Sequence, residues 1–176
     1  MVRACLVVDV PSFGVRLDKG EVVKKVIDEM AVRTQLVKMV ESFGTRISYL
    51  MRSPHKPEWL WSGEELADAL YGQSTQFVTP YMAVSWITNG ILDPCDWESP
   101  RFWGSPLGRM VAFWGTGEPG AVRRECAAAA LDMTRQNVLL MLRDGRLSEP
   151  VNAGTDDLVS TSSLAMAMRQ RFSLRG

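Results

Sequence analysis

Displaced by 55 residues, the sequence repeats the punctuation of a helix: Thr79 falls on Thr134, Val84 on Leu139, Ile87 on Leu142, Asn89 on Asp144, Gly90 on Gly145 and Leu92 on Leu147. A further shift of six residues brings LADAL (66–70) onto CAAAA and its neighbours, at AAAAL (127–131), the first copy having the longer turn. Repetition constrains a fold more than composition does, because one supersecondary unit is then used twice and each copy must bury its apolar face. The competing reading is a chance likeness between two amphipathic helices that both end in glycine.

Local signals divide each copy into helices. In SGEELADALYG (62–72), Ser62 can cap a helix and Glu65, three residues on, completes a capping box. Thr79-Pro80 opens a second helix, which stops at Asn89-Gly90. The following DPCDWESPRFWGSPLGRMVAFWG (93–115) reads as a loop or β-ribbon leading to an apolar segment at Met110 to Trp114. Beyond the linker GTGEPG (115–120), the plan recurs. AVRRECAAAA is a helix, LDM a tight turn, and TRQNVLLMLRDG a second helix from Thr134. A turn-rich strand region, SEPVNAGTDDLVS, and a last helix, TSSLAMAMRQRF, complete it.

The segment AAAALDMTRQNVLLMLRDGRL (127–147) resembles the helix-turn-helix of the MerR and excisionase-type winged-helix families. The resemblance covers residues 121–172 and is weaker over the first copy, 62–114. It implies that Ala128 and Ala129 let two helices cross closely, and that Leu131, Val138, Leu142 and Leu147 form a small core. Gly145 would take the left-handed conformation that ends the second helix. It further implies a recognition helix whose leading residues, Arg135, Gln136 and Asn137, face base edges in the major groove. Arg123, Arg124, Arg143, Arg146, Arg169, Arg171 and Arg175 would contact phosphates. The plainer reading of each is a solvated helix end.

Three features depart from that pattern. Leu139 and Leu140 stand where these families carry polar groove contacts, and Asp156 and Asp157 in the expected wing would repel phosphate. Residues 118–176 hold eight arginines against seven acidic residues. In the first copy, the outward positions Pro80, Tyr81, Val84, Ser85 and Thr88 include no base, so that copy suits a protein partner. Leu139, Leu140, Tyr81 and Val84 are the candidate interface residues.

Ahead of the repeat, residues 2–10 (VRACLVVDV) read as a buried strand. An apolar stripe of Val22, Val23, Val26, Ile27, Met30, Val37 and Val40 predicts a helix from about Lys19 to Phe43, capped by Gly44. TRISYLM (45–51) reads as a second strand, ended by Pro54 and Pro57, which makes a βαβ unit. This start also resembles, loosely, the opening of Rossmann-like hydrolase and nuclease domains, which implies a catalytic or metal-binding Asp9. The further acidic strand ends that such chemistry needs are missing downstream, and Asp9 more simply caps the turn before Pro11.

Composition excludes more than it selects. The 20 basic residues equal the 20 acidic ones, so no global field draws the chain to nucleic acid or membrane, although a local basic face remains open. Cys5, Cys95 and Cys126 are far apart and His55 is the one histidine, too few for a paired zinc site and consistent with free thiols in a reducing compartment. His55 lies between Pro54 and Pro57 and reads as a loop residue rather than a catalytic base. No GxxxxGK[ST] loop is present, and GSPLG (104–108) lacks a strand-to-helix setting. Trp97, Trp103 and Trp114, accompanied only by Arg101 and Arg109, read as core or interface rather than a base-stacking platform, as do Trp59, Trp61 and Trp86. The first residues are too short an apolar run for a signal peptide, and nowhere do 18 apolar residues run together.

The expectation is therefore a helix-rich α+β chain: a βαβ-like module (1–57), a winged-helix-like copy (58–117) and a second copy (118–176). It would be a cytoplasmic, non-enzymatic protein without metal or cofactor that binds duplex DNA sequence-specifically, with a homodimer or protein partner through the first copy. The alternative is an assembly module that keeps the winged-helix shape without touching DNA.

Overall fold

The computed structural model describes residues 24–52, 60–73, 78–115, 120–151 and 157–174. The expected strand 2–10 with Asp9, the start of the expected first helix, His55, Trp59, Asp156 and Arg175 lie outside them. Among the described residues the chain is helix-rich, with four very short strands.

Strand β1 (Lys25–Val26) leads into helix α1 (Glu29–Leu50), whose N-terminus is capped by the Asp28 carboxylate accepting from the Ala31 amide at 3.2 Å. Val32, Leu36, Val40 and Gly44 recur every fourth residue and form its buried stripe. Here the structure corrects the sequence reading. Gly44 ends nothing, and 45–50, expected as a strand, are the last turns of α1. The β-branched composition of TRIS is a weak preference, which the continuing helix overrides. Thr45 fits the helix by donating its hydroxyl to the Glu41 carbonyl at 2.9 Å.

Helix α2 (Gly63–Leu70) packs along α1, and its capping box forms as expected. Ser62 Oγ accepts from the Glu65 amide at 3.2 Å, and Glu65 Oε2 accepts from the Ser62 amide at 2.8 Å. The two helices approach so closely that a Cβ on Gly63 would lie 2.4 Å from the Val37 nitrogen. Arg33 crosses the seam, paired to Glu29, Glu64 and Asp68 at 2.9, 2.8 and 2.7 Å.

Helix α3 (Pro80–Trp86) opens at the expected cap, Thr79, and widens into a π-helical turn at Ile87–Ile91. In the expected loop or ribbon after it lie two short helices, α4 (Pro94–Trp97) and α5 (Pro100–Trp103), and then α6 (Pro106–Trp114). Each begins with proline behind Asp93, Ser99 or Ser105, the preferred pairing of a cap residue with a first helical residue that has no N–H to satisfy. Trp103 at the end of α5 is fully buried, its indole donating to the Trp97 carbonyl at 2.8 Å.

Strand β2 (Ala121–Arg123) precedes α7 (Arg124–Leu131) and α8 (Arg135–Arg143). Strand β3 (Leu158–Ser160) returns antiparallel to β2, pairing Val122 with Val159, and runs into α9 (Thr161–Arg171) and β4 (Phe172–Ser173). The expected helix over 121–130 therefore starts only at Arg124. β4 pairs in parallel with β1, so the two ends of the described chain lie side by side. One apolar cluster runs from Ile27 to Phe172 and takes residues from every helix named above except α4, whose Trp97 packs partly buried against it, and from β2, β3 and β4.

In an exposed helix, Gly→Ala ordinarily stabilises slightly. At Gly63 the clash reverses the sign, so Gly63→Ala should lower unfolding free energy by about 3 kcal/mol in urea titrations. Ser62→Ala, which loses only the cap, should cost about 1 kcal/mol.

Candidate nucleic-acid interface

The strand–helix–turn–helix–strand run from Ala121 to Ser160 carries the candidate residues. Helix α7 buries Cys126, Ala127, Ala128, Ala130 and Leu131, and packs against α5, α6, α8 and α9. Side chains this small allow four helices around one axis. It ends at Asp132, which takes the left-handed conformation with φ 54°. Aspartate tolerates that region better than most residues, which makes the turn short. Thr134 then caps α8 by accepting from the Asn137 amide at 3.3 Å, and Gly145 closes the unit with φ 71°.

Val138 and Met141 seat α8 on α7, the one described element against which it packs extensively. Leu131, Val138 and Leu147 are buried and Leu142 is half-buried, as expected of the small core. Arg135 and Gln136 are exposed and Asn137 is half-buried. Leu139 and Leu140 are 36% and 43% exposed, so α8 presents a mixed polar and apolar outer face. Beside it, Leu139, Leu142, Arg143, Leu147 and Glu149 line a shallow groove of about 440 Å³.

The arginines are less available than their sequence positions imply. Arg123 lies in β2, not on the first helix, and pairs with Glu98 at 3.0 Å. Arg124 is only 13% exposed and holds Glu149 at 2.9 Å. Arg135 pairs with Asp157 at 2.7 Å, and Arg146 with Asp144 at 3.1 Å. Arg143 is exposed and makes no ion pair with a described residue. Arg169 points inward and donates to the Phe113 carbonyl, the Trp114 carbonyl and the Tyr81 hydroxyl at 3.0, 3.1 and 3.2 Å. These bonds tie α9 to the end of α6. Arg171 donates to the Asp132 carbonyl at 3.1 Å.

Val84, expected on the outer face of α3, is completely buried, because α3 lies between α2 and α6. Tyr81 is half-exposed but packs edge-on to Trp114, 5.6 Å between centroids, besides accepting from Arg169. The expected ribbon of the first copy is absent from the described residues, since 94–97 and 100–103 are helical.

Sequence reasoning missed a junction at the turn. The Asp132 carboxylate accepts from Lys25, on β1, and lies 3.6 Å from Arg109, on α6. These residues are remote in sequence and no local signal joins them. The Lys25 hydrogen bond, opposed by partial burial, holds the Asp132 carboxyl below the usual carboxylate range.

Among the described residues, no three His, Cys, Asp or Glu gather as a metal site, and no helix is long and apolar enough to cross a membrane. The chain matches no family model, no curated protein and no solved structure.

A depressed carboxyl pKa stabilises the fold fully above the unfolded value, and that contribution disappears as pH falls through the folded one. Urea midpoints measured from about pH 6 to about pH 2 should therefore fall less steeply in Asp132→Asn than in the wild type. Asparagine also tolerates the left-handed turn, so the variant should keep its fold at neutral pH.

Proposed function

We propose that residues 121–172 are a winged helix-turn-helix unit and that α8 reads duplex DNA in the major groove, as the MerR and excisionase resemblance implies. One observation carries the reading: α8 is anchored from behind by Val138 and Met141 and leaves Arg135 and Gln136 in solvent at its leading end. Guanidinium and amide groups there suit guanine and adenine edges respectively. The β2–β3 pair, which packs against α7, would serve as a minimal wing. The pairing of Arg135 with Asp157 does not oppose this strongly, since an exposed ion pair is worth about 0–1 kcal/mol and exchanges readily for a phosphate or base contact. On this reading the protein is a non-enzymatic regulator.

The exposed Leu139 and Leu140 and the adjoining groove favour a second reading, in which α8 docks a protein and the shape serves assembly. Mobility shifts with mixed genomic fragments separate the two. DNA reading predicts salt-sensitive retention, with Arg135→Ala costing about 1–3 kcal/mol and relaxing sequence preference. Absence of retention at low salt, together with oligomers dispersed by Leu139→Asp, would reject it in favour of assembly.

A further inference from the structure

We infer that Lys25, steadied beside Arg109 by the shared Asp132 carboxylate, is a DNA-backbone contact at the corner of the helix-turn-helix, a site distinct from the arginines of α8 and the wing. The inference rests on the duplex-binding reading above and adds where the phosphates are held. Charge complementarity points there. Around α8 and the wing, four arginines each have at least one carboxylate of their own, and Arg143 has none among the described residues: Arg123 pairs with Glu98 and Glu125, Arg124 with Glu149, Arg135 with Asp157 and Arg146 with Asp144. At Asp132 the ratio changes, because Lys25 and Arg109 share a single carboxylate and neither forms an ion pair with another described residue.

Position agrees with charge. Asp132 ends α7 and Thr134 opens α8, so the pair of cations lies against the turn that leads into the recognition helix. The first amides of α8 add the partial positive charge of a helix N-terminus. The strands' phosphates border the major groove that α8 would enter, and a contact at its leading end fixes register without reading sequence.

The two cations differ in availability. Arg109 is fixed, its guanidinium 5.7 Å over the Phe172 ring and its Nε buried without a hydrogen-bond partner. Lys25 has a side chain 55% exposed. One of its three ammonium protons goes to Asp132, and the others can turn to a phosphate oxygen.

The test is a salt titration of duplex affinity with the full chain, comparing wild type, Lys25→Ala, Lys25→Arg and a control, Lys38→Ala, on the exposed face of α1. Lys25→Ala should weaken binding equally on all sequences and reduce the slope of log affinity against log salt by about one. Lys25→Arg should restore the slope, and Lys38→Ala should leave it unchanged. A wild-type slope in Lys25→Ala, with retention intact, would overturn this inference and leave the recognition helix standing. An equal loss in Lys38→Ala would reduce the effect to net charge and overturn it as well. Failure of the wild type to retain duplex at all would overturn both readings together.

Discussion

The close packing around α7 is the constraint on which the rest depends. Cys126, Ala127, Ala128 and Ala130 let α5, α6, α8 and α9 approach one short helix, and a larger side chain at any of these positions would separate neighbours from both copies. Burial raises the Cys126 thiol to about 11, so it remains protonated and serves as one more small apolar group. The outward placement of α8 follows from this arrangement, because the inner positions around α7 are already taken.

Charge has a second architectural role. Arg33, paired to Glu29 on its own helix, binds α1 to α2 through the carboxylates of Glu64 and Asp68, and Arg169 joins α9 to α6 through backbone carbonyls. Arginine suits both tasks because its planar fork donates in several directions at once. A chain with equal numbers of acids and bases that assigns arginines to such junctions retains few for nucleic acid. The local surplus at Asp132 matters for that reason, and no count over a whole segment would disclose it.

Positions 55 residues apart share a few local features, while the segments between them differ. Thr79 and Thr134 cap α3 and α8 with the same hydrogen bond, and Ser105 and Ser160, also 55 apart, precede α6 and α9, which pack together. Between these shared points the copies diverge. Residues 94–97 and 100–103 are helical, whereas 158–160 form a strand that closes on β2. Four cap-and-proline pairs start helices in the first copy, at Thr79, Asp93, Ser99 and Ser105, and the second has no proline at the corresponding positions. The second helices also end differently, with Gly145 at positive φ and Gly90 inside a π-helical turn.

Features that depend on neighbours within three or four residues were legible in the sequence: the Ser62 box, the Thr79 and Thr134 caps, the turn at Asp132, Gly145 and the inward Leu131 and Val138. Their physics is local, since a cap needs only the amides of the next turn. The helices at 94–97 and 100–103, read from composition as a loop or ribbon, had their local signal in Asp93-Pro94 and Ser99-Pro100. What only the tertiary structure decided were choices between locally equivalent outcomes. Residues 45–50 continue a helix, Val84 turns inward, and Arg169 faces the core rather than solvent. Lys25, Arg109 and Asp132 meet although they are far apart along the chain. Each outcome depends on which surface packing presents to a side chain, and neither residue type nor spacing carries that information.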